Sequence, residues 1–411
     1  MSITFKYDKT KTYIVGVSGG PDSMALLDML YKMKYNVVAC LVNYNTRKES
    51  EYEQKMVREY CHQRNIFFET IDVIYYKRYG NFEAWARDIR YKFFRENMIK
   101  YDAYGVFIAH HQDDLLETYL LQKQRRIITK YYGLKEESLI LNMKVLRPLL
   151  KLSKEELVSY CEKNLIPYSI DSTNLENEHL RNKIRNKILL NYSKVEKEKL
   201  LTKIEIDNIK RRNNLLNVSR IYNKEKIEIS KFNQLSDIEK QLLIFQLINE
   251  TLGENFIKLT YYRINEMIKL LLSNKPNVCH RISGLYYFIR EYDFFYVGKL
   301  DENIAYCYCM EEPSVLDVKE FSCDFRCDTS FLKIDHDSYP LIFRNAKKED
   351  KVLIGSINKK VNRLLIDEKI PQNKRNKYPV VLDKNNKIVY IPLYRSEIQK
   401  KIANKLKFVL K

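Results

Sequence analysis

Short apolar runs alternate with amphipathic stretches over the first 110 residues of the chain. β-Branched, apolar segments at Thr12–Val17, Asn36–Asn43 and Tyr104–His110 predict buried strands, and "IFFETI" predicts another. Helical periodicity appears at Met24–Met33 and in a long stretch for which Asn81 is the candidate N-cap. Because no hairpin turn separates these strands, the alternation predicts an α/β fold with a doubly wound parallel sheet.

The pattern changes after about residue 190. Lys194–Leu216 is a basic helical stretch that we interpret as a connector, and Ser236 with Glu239 predicts a capped helix that ends at Gly253. A second helix is predicted from about Thr260 to Asn274 and a β-hairpin at Tyr286–Val297, and the sequence is strand-rich from Leu341 onward. We therefore expect a catalytic domain, then a connector with a helical middle domain, then a small α/β or β-rich C-terminal domain. The expected boundaries are 1–195, 196–320 and 321–411.

Charge points to a polyanionic partner. The 411 residues include 72 Lys and Arg against 53 Asp and Glu, which gives a net charge of +19. Such an excess favours nucleic acid or an anionic membrane as partner, although a general bias of the composition toward Lys, Asn, Ile and Tyr is the plainer alternative. Apolar runs are shorter than the ~18 residues of a membrane span, and no signal-peptide core is seen, so a cytoplasmic location is expected.

Four of the eight cysteines are grouped near residue 315: Cys307, Cys309, Cys323 and Cys327. They raise the question of a zinc site. Their Cys-x-Cys and Cys-x3-Cys spacings differ from the usual Cys-x2-Cys pairs, and "YCYCM" equally fits an alternating strand. We favour the strand.

The hexapeptide "SGGPDS" follows the first strand and precedes a helix. Its glycines allow a sharp turn and close backbone approach, while hydroxyls, N–H groups and the helix N-terminus form an anion cradle. Asp22 fits such a site if Mg²⁺ bridges it to the phosphates of ATP. A glycine-rich turn with a capping serine is the alternative. The candidate ATP-binding residues are Ser18, Gly19, Gly20, Pro21, Asp22 and Ser23, with Asp22 as the Mg²⁺ ligand.

A second polar cluster, "HHQDDLLET", follows the last of these strands and should lie on the same rim of the sheet. On a helix, Asp113 and Glu117 share one face, and Asp114 lies on the adjoining face. Carboxylates beside a phosphate site suit metal binding and removal of a proton from an amine. The alternative is an acidic first turn that complements the helix dipole. The candidate catalytic residues are His110, Asp113, Asp114 and Glu117.

These motifs resemble known families. "SGGPDS" resembles the PP-loop of ATP pyrophosphatases, which split ATP into AMP and pyrophosphate. The blocks "NFEAWARDIRYKFF", "HHQDDLLET" and "DSTNLENEHLRNKIRNKIL", in that order, are similar to signature blocks of the tRNA(Ile)-lysidine synthetases, and Lys151–Asp171, between the last two, is similar as well. Gly355–Val381 also resembles the final domain of that family. Two segments depart from the family pattern, Asn43–Arg47 and Leu120–Leu134, of which the second holds a single glycine.

The resemblance implies a two-step ligation in one pocket. ATP adenylates the first anticodon cytidine of an isoleucine tRNA with a CAU anticodon, and free lysine then displaces AMP at carbon 2 to give lysidine. Decoding would change from AUG to AUA. The resemblance assigns lysine, adenylate or anticodon contacts to Glu83, Arg87, Arg90, Arg181 and Arg185. For Arg181 and Arg185, the alternative is that they belong to a basic helix face exposed to solvent. The C-terminal domain is expected to bind tRNA, and the assembly state stays open, with a homodimer as one alternative.

Two other functions compete with this interpretation. A sulfur-inserting PP-loop tRNA enzyme would need a reactive thiolate near the adenylate, and the N-terminal half offers only the widely spaced Cys40, Cys61 and Cys161. A non-enzymatic nucleotide sensor that binds RNA would explain the loop and the charge. It would not explain two carboxylate-bearing blocks on one rim.

Overall fold

The computed structural model describes residues 4–45, 49–76, 81–169, 184–185, 188–223, 225–253, 259–300, 305–354, 357–393 and 397–411. The chain divides into two compact units, Met1–Asn213 and Asn214–Lys411. Among these residues, the helices are too short or too polar to cross a membrane.

The first unit alternates strands and helices. Its strands are β1 (Thr12–Gly16), β2 (Asn36–Asn43), β3 (Phe67–Asp72), β4 (Gly105–Ile108), β5 (Glu137–Ile140) and β6 (Met143–Leu146). Its helices are α1 (Pro21–Lys32), α2 (Glu49–His62), α3 (Phe82–Lys100), α4 (Gln112–Gln124) and α5 (Lys154–Lys163). A longer helix, α6 (Lys194–Ile221), begins in this unit and ends in the next.

The six strands form one sheet in the order β3-β2-β1-β4-β6-β5. All neighbours pair in parallel except β5 and β6, which form an antiparallel hairpin. The chain moves from β1 outward through β2 and β3, then returns to the other side of β1 as β4. Gly16 and Ile108, the last residues of β1 and β4, are register partners. The predicted doubly wound parallel sheet is confirmed, and its switch point lies between these two strands. The β5–β6 hairpin was not predicted.

Both faces of the sheet are buried at β1, which explains why its three central residues are all apolar or aromatic. Tyr13 and Val15 pack into a core with α1 and α5, while Ile14 packs on the opposite side with Phe94 of α3. All three of these β1 side chains are fully buried. Asn81 caps α3 as expected, since its side chain accepts a hydrogen bond from the Ala84 N–H at 3.0 Å.

The second unit combines helices with antiparallel sheets. Its helices after α6 are α7 (Ile229–Asn233), α8 (Asp237–Leu252), α9 (Tyr261–Leu272), α10 (Val361–Asp367), α11 (Gln372–Arg375) and α12 (Glu397–Lys405). Its first strands are β7 (Ile227–Glu228), β8 (Asn277–Ser283), β9 (Tyr286–Glu291) and β10 (Phe294–Lys299), which form a sheet in the order β7-β10-β9-β8.

The remaining strands make the C-terminal part β-rich. They are β11 (Cys307–Met310), β12 (Val315–Asp317), β13 (Phe321–Asp324), β14 (Leu341–Asn345), β15 (Lys351–Ile354), β16 (Ile357–Lys360), β17 (Pro379–Leu382), β18 (Ile388–Tyr390) and β19 (Val409–Leu410). The sheets are β11-β14-β17-β18, β12-β13-β19 and the hairpin β15-β16. The fold class predicted for this half is confirmed, and the hairpin predicted at Tyr286–Val297 is present as β9 and β10. The strands β7 and β8, which complete this sheet, were not predicted.

The cysteine group behaves as the strand pattern indicated. Cys307 and Cys309 belong to β11 and are exposed, whereas Cys323 is buried in the core of the C-terminal part. Within the described ranges, no three His, Cys, Asp or Glu side chains are grouped so that they could hold a metal ion.

The predicted cap of α8 is present. Ser236 Oγ accepts from the Glu239 N–H at 3.4 Å, and the Glu239 carboxylate accepts from the Ser236 N–H at 2.9 Å, while Gly253 ends the helix with φ 90°. Replacing Ser236 by Ala should cost about 1 kcal/mol of local stability, because one orphan N–H loses its acceptor. Amide exchange by mass spectrometry should show faster exchange in the first turn of α8, with α9 unchanged. Unchanged exchange in that turn would contradict the cap.

Candidate active site

The loop after β1 has the backbone of an anion cradle. Gly19 adopts φ +80°, where an added Cβ would also lie 3.2 Å from the Glu53 Cβ, so glycine is required there. Ser23 Oγ accepts from the Ser18 N–H at 3.1 Å and donates to the Gly20 carbonyl at 3.0 Å, which fixes the turn. Pro21 is the first residue of α1, and Gly20, the N-cap, provides no side-chain cap. The first-turn N–H groups of α1 are therefore available to an anion.

Asp22 projects from the first turn of α1 and is about three-quarters buried. Its Oδ2 lies 2.6 Å from Lys154 Nζ and 3.7 Å from His111 Nε2. Its Oδ1 is buried and accepts no hydrogen bond from any residue that the structure describes. A buried carboxylate oxygen with no donor is costly unless a ligand completes the site.

Helix α4 begins directly beside that carboxylate. His111 is its N-cap: the ring Nδ1 accepts from the Asp113 N–H at 3.3 Å, and Asp114 Oδ2 accepts from the His111 N–H at 3.0 Å. Because Nδ1 is an acceptor here, the imidazole proton is on Nε2. That nitrogen lies 3.5 Å from Asp114 Oδ2 and 3.7 Å from Asp22 Oδ2, so His111 bridges the two polar clusters.

The carboxylates of α4 are buried and each contacts a cation from later in the chain. Asp113 Oδ1 lies 2.9 Å from Lys197 Nζ at the start of α6. Arg185 forms an ion pair with Glu117 through Nε and approaches Asp114 Oδ1 to 3.6 Å. Burial opposes the charge of Arg185, yet the carboxylates of Glu117, Asp114 and Asp113 raise its pKa above the ordinary arginine value. The solvated-face alternative is therefore wrong for Arg185.

His110, the residue before the α4 cap, contacts a buried arginine. The buried Arg147 donates from Nε to His110 Nδ1 at 3.0 Å, so this imidazole also has its proton on Nε2. Arg147 is held by the Lys135 carbonyl and the Ser138 hydroxyl, both in the β5 region. Burial lowers the pKa of Arg147, and the charge of Arg87 lowers it further.

The residues predicted on α3 form an exposed row. Glu83, Arg87 and Arg90 are spaced by four and three positions, so they share one helix face, and all three are exposed. Arg87 lies over the Tyr91 ring at 4.7 Å, and Arg90 Nε donates to the Tyr44 hydroxyl at 3.4 Å.

Arg181, the remaining predicted residue, lies outside the described residues. Of the segment resembling its block, the structure describes Arg185 and its neighbour Ile184 together with residues 188 and 189.

Sequence reasoning missed four polar side chains of this site: His111, Arg147, Lys154 and Lys197. Only His111 had a usable signal, since it precedes two acidic residues in the pattern of a helix start. The three cations come from residues that look like ordinary surface charges. Their contacts span 37, 132 and 84 positions of sequence, so no local pattern could find them.

The atypical segment Leu120–Leu134 begins in helix α4, and the part that follows the helix is held by hydrogen bonds. α4 continues to Gln124. In its last turn, the Gln122 side chain accepts a hydrogen bond from the Gly133 N–H at 2.7 Å. The Tyr132 backbone exchanges two hydrogen bonds with the Asn208 side chain of α6, at 2.8 and 3.0 Å. Gly133 has φ +75°, and a Cβ there would lie 2.5 Å from Leu115. This segment is thus anchored by side-chain hydrogen bonds and by the close packing of Gly133 against Leu115.

Comparison with known proteins agrees with this geometry. Residues 2–192 match the family model of the PP-loop domain, so the fold and the site define an ATP-using PP-loop enzyme. The chain is 32% identical to a tRNA(Ile)-lysidine synthase of Mycoplasma mycoides, over 94% of this chain and 97% of the relative. It is 33% identical to that of Mesoplasma florum, over 94% and 98%. The chain belongs to the tRNA(Ile)-lysidine synthase family.

Among solved structures, the U34-tRNA thiolase NcsA from Methanococcus maripaludis is similar at 18% identity. It has a TM-score of 0.38 and covers 48% of this chain and 72% of its own. The family membership confirms a tRNA-modifying ligase and not the thiolation alternative.

The cysteines of the first unit agree with that outcome. Cys40, Cys61 and Cys161 are buried, and burial raises the pKa of Cys61 to about 12 and that of Cys161 to about 11. Burial also raises the pKa of Cys40. Neutral, buried thiols are poor nucleophiles, because sulfur chemistry requires the thiolate.

Lys197 provides a test of the charge pairing. Both side chains of the Lys197–Asp113 pair are at least 85% buried, with exposures of 15% and 13%. Lys197→Met should therefore destabilise the first unit by about 3 kcal/mol, because it leaves the Asp113 charge without this cation. Trp85, the one tryptophan of the chain, reports unfolding of this unit in a urea titration. Adding Asp113→Asn should restore part of the loss; strictly additive losses would show that the two side chains are not coupled.

Proposed function

We propose that this chain makes lysidine in isoleucine tRNA by a two-step ligation in the site between Ser18–Ser23 and α4. ATP adenylates the first-position cytidine of a CAU anticodon, with release of pyrophosphate. The amine of free lysine then attacks carbon 2 and AMP leaves, so that the tRNA reads AUA in place of AUG. The observation that carries the proposal is the adjacency of an anion-binding loop and a buried carboxylate cluster at one switch point, in a chain of this family.

ATP binding by Ser18–Ser23 is supported by the loop geometry. The positive φ of Gly19 and the open N-terminus of α1 provide N–H groups for the pyrophosphate portion. The Ser18 hydroxyl is exposed beside them. The N–H groups and the hydroxyl donate hydrogen bonds but carry no net charge. Such neutral donors suit the pyrophosphate portion of ATP, because this portion must leave as product.

Mg²⁺ fits at Asp22. The ion is commonly held by one or two carboxylates together with substrate phosphates, and Asp22 Oδ1 is a buried oxygen without a donor among the described residues. When bound there, the ion would offset the phosphate charge that develops as pyrophosphate leaves. His111 Nε2–H, within 3.7 Å of Asp22, would hold the carboxylate in place.

The four predicted catalytic residues divide into two groups by their contacts. We propose that His110 and Asp113 face the reacting groups, with the Nε2–H of His110 as a hydrogen-bond donor and Asp113 as the acceptor for a proton of the lysine amine. Asp114 and Glu117 would act through position: Asp114 closes the cap of α4, and both carboxylates contact Arg185. Glu117, at 0% exposure, is too deep to meet a substrate directly.

The exposed row on α3 suits a negatively charged or zwitterionic ligand. Arg87 and Arg90 present two guanidinium groups, and Glu83 one carboxylate, on a single face. We propose that this row contacts lysine or the anticodon backbone, since guanidinium groups bind carboxylates and phosphates in a bidentate manner. Arg181 would join them.

The C-terminal half is proposed to bind the body of the tRNA. The basic residues predicted there are Lys359, Lys360, Arg363, Lys369, Lys374, Arg375 and Lys377. Five are exposed, whereas Arg375 and Lys377 are half-buried, and Arg375 is used to bond the Ile370 carbonyl at 2.8 Å. Lys359 and Lys360 on β16 and Arg363 on α10 are exposed and lie within five positions of sequence. Such contacts would orient the tRNA without reading bases.

Asp22→Asn tests the metal assignment. The variant keeps the shape of the side chain but removes the charge that would hold Mg²⁺, so pyrophosphate release in the presence of tRNA and lysine should fall by roughly 10²-fold or more. Glu59→Gln, an exposed change on α2, is the control and should release pyrophosphate normally. The assignment would be abandoned if Asp22→Asn stayed within a few-fold of wild type with an intact fold by Trp85 fluorescence.

A charge-neutralisation series tests tRNA binding by the second unit. Replacing Lys359, Lys360 and Arg363 by Gln should weaken tRNA binding and lower the slope of log affinity against log salt, by about 0.7–0.9 for each phosphate that these side chains neutralise. The control replaces the exposed Lys34, Lys55 and Lys163 of the first unit, which changes the net charge equally. The measurement is the tRNA affinity of both triple variants at several salt concentrations. Equal slopes for the two variants would show that this surface does not bind phosphates.

A further inference from the structure

Lys154 is the residue that the proposed reaction leaves unexplained. Its ammonium lies 2.6 Å from Asp22 Oδ2, the carboxylate proposed to hold Mg²⁺, although the two residues are 132 positions apart. The lysine side chain is 40% exposed, so it is reachable from solvent. A cation is thus already bound to one oxygen of the carboxylate that a metal ion would use.

The backbone of Lys154 is held in place by the start of α5. Lys154 is the first residue of α5, and the Ser153–Glu156 capping box sets where that helix starts. Further along α5, the Cys161 thiol donates to the Pro21 carbonyl at 3.3 Å, and the Tyr160 hydroxyl donates to Asp28 at 2.7 Å. These contacts tie α5 to α1, so the ammonium is delivered to the phosphate loop from an anchored position.

Two cations cannot both stay close to one carboxylate without cost. An ammonium a few ångströms from a dication is strongly repelled where the effective dielectric is low. The phosphates of a nucleotide beside the Ser18–Ser23 loop would present the nearest new negative charge. Lysine is well suited to this exchange, because its compact ammonium on a flexible stem binds phosphate as a point charge.

We propose that Lys154 neutralises Asp22 while no metal is bound and moves to the pyrophosphate portion of ATP when Mg²⁺ takes the carboxylate. Lys154 is then a phosphate-binding residue of the reaction and also a built-in competitor of the metal. The proposal rests on the ATP and Mg²⁺ site proposed above. It goes further in naming the group that the metal must displace and the place to which that group goes.

The two roles predict effects of opposite sign for Lys154→Met. In protein without nucleotide, Mn²⁺ affinity by EPR titration should rise about tenfold, because the competing cation is gone. Calorimetric affinity for pyrophosphate with Mg²⁺ should fall about tenfold, the scale of one charge-assisted hydrogen bond. Lys154→Arg keeps a cation and should bring pyrophosphate affinity back toward wild type.

Lys32→Met is the matched control. Lys32 also joins α1 to α5, through Asn164 at 2.6 Å, and it pairs with Asp28 of its own helix at 2.9 Å, but it lies at the far end of α1. It should leave both affinities unchanged. If Lys154→Met lowers both affinities together, or changes neither, Lys154 is a structural link only and the proposal is overturned.

Asp22→Asn distinguishes failure of the role proposed for Lys154 from failure of the Mg²⁺ site on which that role rests. Loss of Mn²⁺ binding in Asp22→Asn, with no change in Lys154→Met, would refute the role of Lys154 alone. Unchanged Mn²⁺ binding in Asp22→Asn would refute the metal site itself.

Amine labelling of the wild-type protein gives a measurement that needs no variant to fold. The reactivity of Lys154 should rise with Mn²⁺ alone and fall when pyrophosphate is added; constant reactivity would contradict the movement.

Discussion

Charge compensation inside the first unit is the constraint on which the site depends. Asp22, Asp113, Asp114 and Glu117 lie close together and are largely removed from water, an arrangement that repulsion and desolvation would break apart unless cations entered with them. The required cations are Lys154, Lys197 and Arg185, each from a different later segment. The acidic cluster therefore holds α5, Arg185 and the start of α6 at the rim of the sheet. Packing of these elements and assembly of the site are one process.

This constraint also explains how the two polar blocks became one site. Parallel pairing of β1 with β4 brings their carboxyl ends together, and the two loops then share His111, whose ring reaches both Asp22 and Asp114. The histidine can do so because its Nδ1 is occupied by the α4 cap, which turns Nε2 toward the carboxylates. His111, the N-cap of α4, thereby also sets the distance between the nucleotide loop and the acidic cluster.

The sequence predicted the parts of this arrangement that are local. Strand periodicity, the glycines of the phosphate loop, the cap of α3 and the cap of α8 each depend on a few neighbouring residues, and each is present. The pairing partners of buried charges depend on the folded chain. Nothing in the sequence near Lys154, Lys197 or Arg147 identifies the side chain that each contacts in the folded chain. The β5–β6 hairpin was missed for a related reason, since its turn at Leu141 and Asn142 takes positive φ without a glycine.

The thiol beneath the phosphate loop has a consequence of its own. Cys161 is fully buried, and its Sγ–H donates to the carbonyl of Pro21, the residue that opens α1. Any opening that separates α5 from the loop would expose this sulfur to an alkylating reagent. The Cys161 thiol is thus a native chemical probe of transient separation between α5 and the nucleotide loop. The rate of alkylation at Cys161 would measure how often that loop parts from its support, without a label being introduced.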